Sequence, residues 1–424
     1  MDARLSLRYE RMVQSYMKVS EPLSAGMKAL NDGVSSFAHT QAAWRFYANP
    51  MVSLSVLQAP LTAAAHEGIT ERCGSYALCI HDWSRLAYRH ANKADRYAIT
   101  HASDQGYDLQ SSLVISDQTG EPIAPVAQCL VSGVGRQATY EEEVLTPRTH
   151  LDEVSRAMEH LEGLGFSRPL VHLMDREGDS VGHYRRWQSS GIQWLVRIRD
   201  NPQLTYQGSA LASKTLAEQL TYHRARTVQV QGKPHEQYVG EIPVSVTRRS
   251  KPSCKKQVQP SVAGEPVMAR LVVSRLFNEQ GDMIAQWLLL TTLTAPTADT
   301  LVLWYYWRWQ IESFFKLLKS AGHQLEAWQQ ESALAVAKRL LVTSMACVTV
   351  WAIAVSPQPE VQQLRQLLIR LSGRQMRSKV TFTYPALLAG LETFLALVQL
   401  LDSYSPAEIQ TLSQTLRSVM HKNV

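Results

Sequence analysis

A chain of 424 residues is too long for one ordinary core, so two or three folded units are expected. Hydrophobic content of 45% and charged content of 19% exclude large-scale disorder. Lys+Arg 43 against Asp+Glu 37 leaves a net charge of +6, a mild excess that suits a polyanionic partner without demanding one.

The first 70 or so residues read as mixed helix, with a polar segment (Asn31, Asp32, Gly33, Ser35, Ser36) before Thr40-Gln-Ala-Ala-Trp-Arg-Phe-Tyr and a breaker at Asn49-Pro50. Trp44 and Phe46 suit packing better than ligand contact. Tyr76-Ala-Leu-Cys-Ile-His reads as a buried strand followed at once by Asp82. Strand patterns recur at Leu109 to Ser116 and Ala124 to Val131, joined by the turn Asp117-Gln-Thr-Gly120, which completes a three-strand meander. Leu151, Val154, Met158 and Leu161 have helical spacing, with Gly163 or Gly165 as the stop. Leu170 to Met174 then reads as a buried strand ending in Asp175, followed by a helix near Val181 to Gln188 and a strand from Trp194 to Ile198. The resulting order is β, β, β, α, β, α, β.

From about 201 to 290 the pattern changes to alternating strands (Thr227 to Gln231, Tyr238 to Val246, Val267 to Ser274, Ala285 to Leu290), which predicts an all-β insertion. A helix is expected after Pro296, with Asp299 as its N-cap. Leu340 to Val355 is apolar but short for a bilayer span and reads as a buried helix. Beyond Ser356-Pro-Gln-Pro, two or three amphipathic helices reach the end. The domain expectation is a helical region over 1–70, an α/β domain over 71–345 and a helical region over 346–424.

Five scattered cysteines (Cys73, Cys79, Cys129, Cys254, Cys347), with no CxxC pair, indicate neither a zinc site nor a disulfide framework and fit a reducing compartment. The start Met-Asp-Ala-Arg-Leu-Ser lacks a signal-peptide core, so a cytoplasmic location is expected. Two basic runs, Arg248, Arg249, Lys251, Lys255, Lys256 and Arg365, Arg370, Arg374, Arg377, Lys379, either form solvated surface or contact phosphates.

The densest signal is Tyr305 to Lys319. At 3.6 residues per turn, Tyr305, Arg308, Glu312 and Lys319 share one face of a helix, while Trp304, Trp307, Ile311, Phe314, Phe315 and Leu318 cover the rest. That stripe either borders a buried site or is a solvated face supported by helix ion pairs. Asp82 and Asp175 each sit past an apolar strand, where ligands gather at the ends of parallel strands, and Glu312 lies on a helix able to cross the same sheet. Three converging carboxylates suit magnesium, which prefers hard oxygens, and a pair of such ions supports phosphodiester displacement. Competing readings make Asp82 a turn cap before Trp83-Ser84, and pair Asp175 with Arg176 while Glu177 or Asp179 does any chemistry. His81 and His172 read as core or supporting groups.

Together these residues resemble the DDE transposases of bacterial insertion sequences, which share a ribonuclease H-like fold with retroviral integrases. Tyr305, Arg308, Glu312 and Lys319 match the spacing of the YREK motif, Asp175-Arg-Glu-Gly-Asp179 resembles the second-carboxylate box, and Thr40 to Phe46 resembles the N-terminal region. The resemblance covers roughly residues 30 to 330. It implies a ribonuclease H-like mixed sheet with an all-β insertion, flanked by N-terminal and C-terminal helical regions. It also implies a catalytic triad of Asp82, Asp175 and Glu312 holding two Mg2+ ions, with Mn2+ as a substitute, and Tyr305, Arg308 and Lys319 on DNA phosphates. Trp287 and Trp309 occupy positions similar to those of tryptophans that receive and support a flipped base. Cut-and-paste movement by a homodimer bound to terminal inverted repeats and target DNA is the implied activity. A silent DNA-binding descendant and a nuclease that cuts without joining are the alternatives. Trp83-Ser84 departs from the small hydroxyl residues common after the first carboxylate, and Trp287 lies in an apolar context that also suits a core strand.

Overall fold

The computed structural model describes residues 3–18, 35–88, 93–141, 149–230, 233–250, 261–319, 321–376 and 380–422. Asn31, Asp32, Gly33, Lys251, Cys254, Lys255, Lys256, Arg377 and Lys379 lie outside the described residues. In chain order the elements begin with α1 (Ala3–Lys18), α2 (Ser35–Ala48) and α3 (Leu54–Arg72). Next come β1 (Ala77–Ala87), β2 (Tyr97–Ala98), β3 (Gln105–Ser116), β4 (Pro122–Ser132), β5 (Gly135–Ala138) and α4 (His150–Glu162). After β6 (Leu170–Met174) follow α5 (Val181–Ser189), β7 (Trp194–Arg197), β8 (Gln203–Tyr206), β9 (Ser209–Ala212) and α6 (Ser213–Gln219). The chain continues through β10 (His223–Val230), β11 (Lys233–Val246), β12 (Val267–Phe277) and β13 (Met283–Thr291). It ends with α7 (Ala298–Trp307), α8 (Gln310–Leu318), α9 (Ala333–Val355), α10 (Pro359–Leu371), α11 (Tyr384–Ser403) and α12 (Pro406–Lys422).

Two compact units emerge: residues 58–89 with 95–315, and residues 1–57 with 90–94 and 316–424. The first holds the whole sheet, in the order β5-β4-β3-β1-β6-β7-β13-β12-β11-β8-β9. Within it, β1 pairs antiparallel with β3 and parallel with β6, and β6 is parallel to β7. The path β4-β3-β1-β6-β7, antiparallel at one side and parallel at the other, is the ribonuclease H-like arrangement. Apolar runs explain it: β6 and the first half of β1 are buried on both faces, as strands in the parallel part of a covered sheet are.

Several expectations change in detail. Asp82 is not past the end of its strand, because β1 continues to Ala87 through its antiparallel pairing with β3. Its parallel pairing with β6 stops at Ile80↔Leu173, so Asp82 still marks where β1 and β6 part. The 201–290 block is not purely β, since it contains α6, and β13 joins it to β7 as an extension of one sheet. Thr297, not Asp299, caps α7: its side chain accepts from the Thr300 N–H at 3.2 Å, and Asp299 pairs with His223. The polar periodicity could not separate two neighbouring capping residues. The boundary expected at 345/346 falls inside the continuous α9.

The 117–120 turn docks α7 onto the sheet. The Asp117 carboxylate accepts from the N–H groups of Gly74, Ser75 and Tyr76 at 2.7, 3.1 and 3.1 Å. Its carbonyl accepts from the Trp304 indole at 3.1 Å. Gly120 has φ +71, and a Cβ there would lie 2.4 Å from the Trp307 ring. Both the left-handed backbone and the close ring exclude a side chain. Gly120→Ala is therefore expected to cost about 1–3 kcal/mol, read as a lower denaturant midpoint at unchanged slope.

In the second unit, 78% of the apolar stretch of α9 is buried, although α9 and the 384–402 stretch are long and apolar enough to cross a membrane. Lys338, itself buried, donates to the Tyr47 and Asn49 carbonyls at 2.9 and 3.0 Å, which caps the C-terminus of α2 with a cation. Phe46 and Tyr47 are buried beside it, so this part of the Trp44 to Tyr47 stretch is packing. Arg339 lies over the Trp328 ring at 4.0 Å and donates to Gln330 at 2.7 Å.

Candidate active site

Asp82 points from β1, Asp175 follows β6, and Arg308 and Glu312 come from the junction of α7 and α8. Arg308 joins them: its guanidinium donates to Asp82 Oδ2 at 2.8 Å and to Glu312 Oε1 at 3.0 Å. The other oxygen of Asp82 accepts the Trp83 N–H at 2.8 Å. Asp175 caps the short 3-10 turn Arg176–Gly178 by accepting the Glu177 N–H at 2.8 Å. Asp82 and Asp175 line one small cavity together with Trp83, His150, Leu151, Val154 and Met174.

Tyr305 to Lys319 is not one helix. α7 ends at Trp307, Arg308 closes a tightened turn with its N–H on the Tyr305 carbonyl at 3.1 Å, and α8 starts at Gln310. The four-residue step from Arg308 to Glu312 survives this break, which is why the pair still meets. Lys319 lies past the end of α8, in the second unit, and pairs there with Glu326 at 3.2 Å. The single helical face expected for all four residues is thus corrected.

Burial sets the electrostatics. Removal from water raises the Asp82 carboxyl above the usual carboxylate range; Arg308 opposes this without cancelling it, and the nearby Asp175 adds to it. Arg308 is only 8% exposed. Desolvation lowers its pKa, yet Tyr305 and the carboxylates of Asp82, Asp175 and Glu312 outweigh that and hold it above its ordinary value. Tyr305, also buried, is raised by desolvation, with Arg308 and Arg197 pulling the other way. The three carboxylates and the phenol all act on one guanidinium.

The other members of the acidic box have structural partners. Asp179 is nearly buried and accepts from Arg248 at 2.8 Å, from the Tyr184 hydroxyl at 3.2 Å and from the Arg199 N–H. Glu177 lies 3.7 Å from His150. Glu177 shares the cavity of Asp82 and Asp175, and of the box it is Asp175 whose charge acts on Asp82. Trp287 is half-buried and meets the Tyr305 ring edge-on at 5.6 Å, so its apolar strand context does not remove it from the site. Trp309 is 53% exposed, with the Arg308 guanidinium 5.7 Å from its ring.

Two residues escaped the sequence reading. Arg197 ends β7, its charge acts on the Tyr305 hydroxyl, and its Nε is buried with no hydrogen-bond partner. A charge closing the apolar run Trp-Leu-Val was the same signal that singled out Asp82 and Asp175. His150, the first residue of α4, stacks on Trp83 at 4.0 Å and 14°, between Asp108 at 3.6 Å and Glu177 at 3.7 Å. Only tertiary contact reveals it. Its pairing with Asp108 first, and with Glu177 next, raises its pKa from 6.5 to about 9. A raised folded value means the contribution to stability is complete below pH 6.5 and is lost as pH rises through about 9. His150→Gln is expected to flatten the fall in melting temperature between roughly pH 7 and 9.

Residues 145–348 match the transposase DDE domain. The DDE match takes in Asp175, Tyr305, Arg308, Glu312 and Lys319, and it begins after Asp82. No curated protein matches the sequence. Among solved structures, a piggyBac transposase synaptic complex with hairpin DNA is similar over 98% of this chain and 75% of that chain, at 9% identity and a TM-score of 0.39. The matched region covers just under half of the chain and includes the carboxylates of Asp175 and Glu312.

Proposed function

We propose that this protein is a DNA transposase that excises and inserts an insertion sequence by cleaving and joining strands at terminal inverted repeats. Asp82, Asp175 and Glu312 are the proposed metal ligands. One observation carries the reading: a single buried guanidinium is shared by Asp82 and Glu312, and Asp82 lines one cavity with Asp175.

The donor set fits hard divalent ions. The three proposed ligands offer carboxylate oxygens, as magnesium prefers, with manganese a substitute; the two imidazoles on the cavity are engaged elsewhere, His150 with Asp108 and Glu177 and His81 with Ser112 and His172. Mutual repulsion between Asp82 and Asp175 in a half-dry site calls for added positive charge. Two ions held there would supply charge neutralisation for phosphodiester displacement.

The remaining roles belong to the chain itself. Arg308 holds two carboxylates in position, and because its fork is engaged, its contact with a phosphate would follow their neutralisation by other cations. Arg197 and Tyr305 extend the donor surface beside it, and Lys319, by itself, is assigned a phosphate contact as a point charge. Trp287 and Trp309 are proposed to stack an extrahelical base, where stacking returns on the order of 1 to 3 kcal/mol against an extraction cost of similar size. The 1–70 region is assigned to end binding, and 346–424 to DNA contact and to homodimer formation in the DNA complex, in a bacterial cytoplasm.

The test is incubation of full-length protein with inverted-repeat DNA, a plasmid target and Mg2+. Joined products are expected. Cleaved ends without joining would identify a nuclease, and binding without cleavage a silent descendant; either sinks the proposal.

A further inference from the structure

On the sheet face opposite Asp82, a buried row of polar side chains crosses three strands and a helix. Gln110 Nε2 donates to Ser112 Oγ at 2.9 Å, and Ser112 Oγ lies 2.9 Å from His81 Nδ1. His81 Nε2 is 2.7 Å from His172 Nδ1, and His172 Nε2 is 3.0 Å from Glu162 Oε1. The chain thus links β3, β1, β6 and the last residue of α4.

Its direction follows from donor and acceptor counting. A carboxylate only accepts, so His172 carries its proton on Nε2 and presents a lone pair at Nδ1. His81 must then donate from Nε2, which leaves its own Nδ1 to accept from Ser112. Ser112 in turn accepts from Gln110. Every ring nitrogen is satisfied with both imidazoles neutral. Burial, and then His172, push the His81 pKa well down, in keeping with a neutral ring.

Cys79 lies close enough to the two rings for the three to resemble a metal cluster. Two nitrogens on one tetrahedral zinc at 2.0–2.1 Å would be about 3.3 Å apart. At 2.7 Å they are hydrogen-bonded to each other instead.

We infer that this oriented chain is a positioning device that sets the spacing of Asp82 and Asp175. Backbone pairing of β1 with β6 ends at Ile80↔Leu173, beyond which β1 follows β3. The His81–His172 bond is a side-chain link across that fork, one residue before Asp82 and three before Asp175. Loss of the link lets the strand ends splay and separates two oxygens that must share a cation. The inference rests on the metal-site reading of those carboxylates.

The experiment uses full-length protein with 15N-labelled histidine, together with Mn2+ titration followed by the free-ion resonance. Both rings are expected to be neutral and protonated on Nε2. His172→Phe is expected to weaken Mn2+ binding about tenfold, the scale of lost supporting contacts around metal ligands. Glu162→Ala removes the partly exposed end of the chain and tests the idea even where the first variant fails to fold. It should shift His172 toward a mixture of tautomers and weaken Mn2+ binding by a few-fold. A wild-type ring protonated on Nδ1, one zinc per chain, or a folded Glu162→Ala protein with unchanged tautomers and Mn2+ affinity overturns the inference. Asp82→Asn separates the two levels: Mn2+ binding unchanged in that variant rejects the metal site itself, whatever the tautomers.

Discussion

Glu312→Gln is expected to reduce strand cleavage by roughly a thousandfold or more, about 4 kcal/mol in the barrier, while binding to the element's ends persists. The side chain keeps its size and can still accept the Arg308 hydrogen bond at the position where Oε1 now lies 3.0 Å away. What it loses is the negative charge that a hard cation needs. Because Glu312 is 41% exposed and starts an α-helix rather than filling the core, folding should change little. Gel-shift binding and a Mg2+ cleavage assay on the same DNA separate these effects. Ordinary cleavage by the variant would remove Glu312 from the triad.

Arg308→Ala should have the largest combined effect on stability and function. It strips the shared cation from Asp82 and Glu312 in a site where Asp82 is already raised by burial and by Asp175. Breaking a fully buried pair costs about 3–5 kcal/mol; the 41% exposure of Glu312 brings the expected loss to about 1–3 kcal/mol. The sign with pH is definite. With Arg308 gone, the folded-state pKa of Asp82 rises further above its unfolded value, so the variant gains stability on acidification and loses it as pH rises. Divalent ions should restore melting temperature in the variant more than they raise it in the parent, since they bind the same carboxylates. Weaker end complexes and poor processing of hairpin ends are expected alongside. A variant with unchanged melting temperature, with no response to Mg2+, would contradict the arrangement.

Much of the catalytic sheet was legible locally. β6 and α5 lie within a residue of their expected ranges because apolar runs and punctuating residues are short-range signals. α4 likewise ends at Gly163, one of the two expected stops. Strand ends were less legible. Periodicity ended β1 at His81 where polar residues begin, yet β3 supplies antiparallel partners as far as Ala87. Polar side chains on one face of a hairpin do not stop backbone pairing. The break at Arg308 was also hidden, since every residue from Tyr305 to Leu318 is compatible with helix and only backbone geometry records the turn.

The sequence by itself determined which chemistry is available: carboxylates after apolar strands, a Tyr–Arg–Glu spacing in an aromatic helical segment, and a helical flank on either side. Those are local properties, written in residue type and spacing. Tertiary structure decided which groups meet. It gave Asp179 to Arg248 and Glu177 to His150, put Asp175 on one cavity with Asp82, and placed the Arg308 guanidinium between Glu312 and Asp82, the latter 226 residues away from Arg308. Charge interactions act through space over a few Å, so residues far apart along the chain become partners only once the sheet has brought its strand ends together.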